Sequence, residues 1–102
     1  MENKDHAWEI LYRVTRNLAI GSGPLAERLR HTYVDGLHEL QPERFPWPDL
    51  QEPLRDILDY FGLDRHGGSI LGKIDDADRS RVAGEIFDLY QAANDRLKNF
   101  GS

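Results

Sequence analysis

Apolar residues recur every three or four positions along most of this chain, and the longest such stretch, Asp75 to Phe100, organises the rest. At about 100° per residue, Val82, Ile86, Leu89, Ala93, Leu97 and Phe100 fall on one narrow arc. Asp78, Arg81, Glu85, Asp88 and Asp95 fall on the far side, and Arg81 and Glu85 are four apart, in position to pair. Asp75, Asp76 and Asp78 open the segment, where a carboxylate can accept from free N–H groups and oppose the helix dipole. Arg96 and Lys98 stand at the other end, where positive charge is favoured. Ala83, Phe87 and Tyr90 widen the apolar arc to about 160°, more than a single packing contact needs. The pattern therefore predicts a helix that touches several neighbours, or one neighbour and another molecule.

The same period predicts three earlier helices. The first spans 4–19, with Ala7, Trp8, Leu11, Val14, Thr15 and Leu18 on one face. Gly21-Ser22-Gly23 ends it, and Pro24 suits the start of the next. The second spans 24–40, with Leu25, Ala26, Leu29, Tyr33, Leu37 and Leu40 facing inward and Gly36 inside that face. A glycine there costs roughly 1 kcal/mol relative to alanine, which is explained by close approach of a crossing helix. A three-residue connection makes these two an antiparallel hairpin. Three prolines, Pro42, Pro46 and Pro48, bar a continuous helix and predict a stiff connector over 42–48, with Phe45 and Trp47 folded back over one end of the bundle. The third helix spans 49–61, with Asp49 and Glu52 at capping-box spacing, a stripe of Leu50, Leu54, Ile57, Leu58 and Phe61, and a Schellman-type ending at Gly62-Leu63. Residues 64–68 read as a loop, and 69–74 as one helical turn or an extended plug burying Ile70, Leu71 and Ile74. The fourth helix spans 76–99. The expected architecture is all-α, a single domain over 1–102 built as an antiparallel bundle of about four helices.

Composition narrows the function classes. Hydrophobic residues are 39% and charged residues 30% of the 102, which is a globular rather than a disordered balance. No apolar run reaches membrane-spanning length, and the N-terminal Met1-Glu2-Asn3-Lys4-Asp5 lacks the pattern of a signal peptide. The absence of cysteine excludes disulfides and thiolate chemistry and is consistent with a cytoplasmic setting. A net charge of −5 argues against broad nucleic-acid binding. That charge is uneven: over 10–31, Arg13, Arg16, Arg28 and Arg30 face only Glu27, whereas over 32–102 fourteen acidic residues outnumber eight basic ones. One basic end sits on an acidic body.

Candidate chemistry changes this picture little. His31, Asp35 and His38 share the outer face of the second helix, but seven residues separate the histidines by about 10 Å along the axis. Ligand bonds of about 2 Å do not let one metal reach both, so the trio reads as a solvated face with local His–Asp pairing. His6 and His66 have no spacing that links them to it. Ser22 is not in a Gly-x-Ser-x-Gly elbow, and the glycines around it lack the Gly-Lys-Ser/Thr ending of a phosphate loop. No catalytic residue, metal site or cofactor is expected.

The order Ser22-Gly23-Pro24-Leu25-Ala26-Glu27-Arg28-Leu29, Tyr33, Leu37, then Phe45-Pro46, Leu50, Gly68-Ser69-Ile70, Asp75-Asp76, and finally Ala83, Ile86, Leu89 and Tyr90 resembles that of a group of small uncharacterised all-helical bacterial proteins. The resemblance covers roughly residues 20–93. It implies a bacterial origin and an α-helical fold, and it brings no activity and no catalytic residue.

Two classes of function follow. The first is a non-catalytic adaptor, regulator or inhibitor acting through protein–protein contacts and self-associating as a homodimer, with Ala83, Phe87 and Tyr90 as its patch. The second is a binder or enzyme for an anion, nucleotide or nucleic acid, using the basic end formed by Arg13, Arg16, Arg28 and Arg30, with His31 beside them and free N–H groups at the start of the second helix.

Overall fold

The computed structural model describes residues 4–62 and 70–100, with the side chains of Leu71 and of residues 98–100 left aside. The Schellman contact expected at Leu63, His66 and the loop at 64–68 lie outside the described residues. The described chain is all-α, with helices α1 (Lys4–Ile20), α2 (Leu25–Asp35), α3 (Gln51–Asp59), α4 (Ile70–Lys73) and α5 (Asp76–Phe100). Its four longer helices form an antiparallel bundle.

Helix α5 is the spine. Asp75 caps it: Oδ1 accepts the Asp78 N–H at 2.8 Å, and the Asp75 carbonyl accepts the Arg79 N–H at 3.0 Å. Val82, Ile86, Leu89 and Ala93 are buried as the period requires, and Leu97 is half-buried against the same core. Helix α1 lies antiparallel to it, since Trp8 near the start of α1 donates Nε1–H to Asn94 Oδ1 at 3.2 Å near the end of α5. Helix α3 also runs antiparallel to α5. Asp49, just before α3, pairs with Arg96 near the end of α5, and Tyr60, just after α3, lies under the Arg81 guanidinium at 5.6 Å. Helix α2 returns along α1, because Leu18 meets Arg28 and Arg13 meets Asp35. The up-down-up-down order follows.

Helix α2 stops at Asp35, five residues short of the 24–40 span. Gly36 ends it, and a 3-10 turn, Leu37–Glu39, carries the chain on. Leu37 and Leu40 are buried all the same, so the break preserves the apolar spacing that suggested an unbroken helix. Close approach does explain Gly36: a Cβ there would stand 3.2 Å from Ile10 Cγ2 and 3.3 Å from Val14 Cγ1 of α1. Gly23, with φ of 95°, supplies the left-handed turn between α1 and α2.

The connector folds as two 3-10 turns, Pro42–Arg44 and Pro48–Leu50. Phe45 and Trp47 between them are buried and meet edge-to-face at 5.2 Å, which closes the bundle over the start of α3. The capping box at Asp49 and Glu52 does not form. Helix α3 starts at Gln51 with no side-chain cap, because Asp49 is drawn across to Arg96. The end of α3 also differs from expectation. Gly62 does not adopt positive φ, and the helix tightens through successive i to i+3 bonds ending at Gly62 N–H to Asp59 O, 3.2 Å. Residues Ile70–Lys73 form the helical turn α4, with Ile70 and Ile74 half-buried.

Candidate functional site

The shoulder of α5 divides in two. Ala83 and Tyr90 are half-buried against the core, whereas Phe87 is 40% exposed. Tyr90 does not wait for a partner: Trp8 and Tyr12 of α1 reach it, with ring centroids 6.1 and 6.2 Å away. Trp8 and Tyr12 stack on each other at 5.4 Å, one helical turn apart. Tyr12 remains 42% exposed. Trp8, Tyr12 and Tyr90 thus form an aromatic cluster on the α1–α5 seam with Tyr12 reaching solvent, and Phe87, three residues before Tyr90 on α5, is exposed as well.

The basic end is largely committed to holding the hairpin together. Arg28 donates Nη1–H to the Leu18 carbonyl at 3.0 Å and Nε–H to the Gly23 carbonyl at 3.2 Å, satisfying acceptors at the end of α1 and in the turn. Arg13 donates to the Asp35 carbonyl at 3.3 Å at the end of α2 and pairs with the Asp35 carboxylate at 3.8 Å. Asn17 donates to the same carboxylate. Arg13 therefore serves the C-terminus of α2 rather than that of its own helix. Arg16 and Arg30 are exposed and make no ion pair among the described residues.

An open groove of about 820 Å³ lies over this hairpin end. Arg30 and His31 line it, and Ile20 and Val34 flank it at 68% and 66% exposure. Those two aliphatics sit off the core stripes of α1 and α2, and the pattern of buried positions passes them over. Their signal in the sequence is a pair of large apolar residues on the polar faces of two helices joined by one short turn.

The expected His31–Asp35–His38 face is not assembled. The helix break moves His38 beside the Tyr33 ring, at 5.8 Å, and Asp35 is taken by Arg13 and Asn17. Among the described residues, no three of His, Asp and Glu converge closely enough to hold a metal.

A second cleft, of about 310 Å³, opens between α3 and α5. Leu50, Ile57, Leu89 and Ala92 contribute its apolar lining, and its charged groups are Asp56, Glu85 and Asp88. The expected Arg81–Glu85 pair is replaced: Arg81 instead reaches Asp78 at 3.4 Å and covers Tyr60, so Glu85 Oε2 is shielded from solvent with no hydrogen-bond partner among the described residues.

The Arg96 guanidinium bonded to Asp49 holds that carboxyl below its usual value of 3.8, and Asp49 in turn raises Arg96.

No protein-family model matches the chain, and no curated protein or solved structure shows significant similarity to it. Among the described residues, no helix is long and apolar enough to cross a membrane.

Proposed function

We propose that this chain is a small non-catalytic bacterial protein of the cytoplasm that acts through protein–protein contacts and self-associates along the α1–α5 seam. The observation that carries the reading is a pair of exposed aromatics, Phe87 on α5 and Tyr12 on α1, the latter beside the packed rings of Trp8 and Tyr90. Rigid aromatics contribute much contact area for little entropy, and they are enriched at interface cores. A two-fold axis along the seam sets these aromatics of one copy against the same aromatics of another, so the patch needs to complement only itself. Light scattering on the purified chain and on Phe87→Glu tests this. In about 500 mM salt, which screens charge contacts, the wild type runs as a dimer and the variant as a folded monomer; a wild type that is monomeric at every concentration removes the proposal.

A second reading, an anion or nucleotide binder, is supported by one specific observation: Arg30 and His31 line the larger groove, and Arg30 makes no ion pair among the described residues. Arg13 and Arg28 do not contribute free charge to it, which weakens a site built on four arginines. A thermal-shift screen with phosphate, nucleotides and divalent cations tests it, and an unchanged melting point with all of them rules it out.

A further inference from the structure

The two clefts are complementary to each other. The α3–α5 cleft has an apolar floor and three carboxylates, Asp56, Glu85 and Asp88, with no cation among its lining residues. None of the three makes an ion pair among the described residues, and Glu85 Oε2 is withdrawn from solvent without a donor. Asp56 and Asp88 are exposed, so the rim of the cleft is open to a cation from outside. The hairpin end presents the opposite chemistry. Arg30 shares the groove with the exposed aliphatics Ile20 and Val34 and makes no ion pair among the described residues.

We infer that the acidic α3–α5 cleft takes the Ile20–Arg30–Val34 end of a second copy of this chain. The guanidinium of Arg30 supplies several N–H donors in a planar fork, which suits a rim of carboxylates, and the flanking aliphatics suit the floor beneath them. Neither surface fits itself, because carboxylates would face carboxylates or arginines face arginines. The contact therefore joins unlike patches head to tail, and each copy keeps one cleft and one basic end for further neighbours, giving a ring or a growing chain. A small contact fastened by charges at its rim is transient and screened by salt. It is separate from the aromatic dimer: successive helical residues Phe87 and Asp88 point about 100° apart, on opposite flanks of the α5 stripe.

Sedimentation velocity on the full chain, over a concentration series at about 20 mM and about 500 mM salt, reads this contact. The expected result is a mass that climbs with concentration at low salt and stops climbing at high salt. Arg30→Glu alone, and the exposed pair Asp56→Lys with Asp88→Lys alone, each lose that climb while keeping the helical circular dichroism of the wild type. Mixing the two variants restores it, because the acidic knob of one then meets the basic cleft of the other. Phe87→Glu, run alongside, keeps the salt-dependent climb, so failure of the aromatic dimer is read separately. A salt-independent mass in the wild type, either charge variant behaving as wild type, or a mixture no larger than its components overturns the inference.

Discussion

Replacing Gly36 by alanine tests the α1–α2 crossing that positions the basic end. The added Cβ would stand 3.0 Å from Arg13 Nη2, 3.2 Å from Ile10 Cγ2 and 3.3 Å from Val14 Cγ1. The arginine is exposed and can step aside, though doing so loosens its hold on the Asp35 carbonyl. Ile10 and Val14 are buried and cannot move without displacing α1. Overpacking of this kind costs about 1–3 kcal/mol. Alanine also restricts the unfolded chain, which returns about 0.4–1 kcal/mol. The net expectation is a loss of about 1–2 kcal/mol, or a melting point lower by about 5–15 °C for a domain of this size. Gly84 is the internal control. It lies inside α5 with nothing within 4 Å of where a Cβ would be, so Gly84→Ala gains helix propensity of about 1 kcal/mol and melts higher. Thermal and urea unfolding followed by circular dichroism measure both. If Gly36→Ala is as stable as the wild type, or if the two substitutions shift stability in the same direction, the packing argument is wrong.

Other predictions address single interactions. Thr15 is buried with its Oγ1 unpartnered among the described residues, so Thr15→Val raises stability by about 1 kcal/mol in urea unfolding, whereas Thr32→Val, which removes a 2.8 Å bond to the Arg28 carbonyl, does not. Arg28→Met leaves the Leu18 and Gly23 carbonyls without their donor and lowers stability by about 1–2 kcal/mol, even with no anion present. The Asp49–Arg96 pair gives a pH signature. A carboxyl held below its usual value of 3.8 contributes stability above that pH, and the contribution fades as pH falls through the lower folded value. Urea midpoints of wild type and Asp49→Asn, measured from pH 7 down to about 2.5, should therefore converge at the acid end; a gap that persists there contradicts the pairing.

The parts of the fold legible in the sequence are those fixed by local period. Helices α1 and α5 follow their apolar stripes almost residue for residue, and Asp75 caps α5 as its position at the start of the run implies. Illegible features depend on partners distant in the chain. Asp49 looks like half of a capping box until Arg96, 47 positions away, claims it. Gly36 looks like a mid-helix residue because Leu37 and Leu40 keep the helical spacing of buried positions through a 3-10 turn. The surfaces show the same division. Phe87 was visible as a residue outside the core arc, but Tyr90 was not separable from it without knowing that Trp8 and Tyr12 lie alongside. Four arginines read as one patch, yet two of them close helix ends across the hairpin. The acidic cleft needed the antiparallel pairing of α3 with α5 to bring Asp56 beside Glu85 and Asp88.

Self-association through the aromatic seam is the claim on which the functional reading rests, and the mass of the chain in solution tests it most directly. In about 500 mM salt, where charge contacts are screened, sedimentation equilibrium should return twice the 11.8 kDa of one chain for the wild type and a single chain for Phe87→Glu with unchanged helical content. A wild type at 11.8 kDa under those conditions, or a Phe87→Glu variant that remains a dimer, contradicts it.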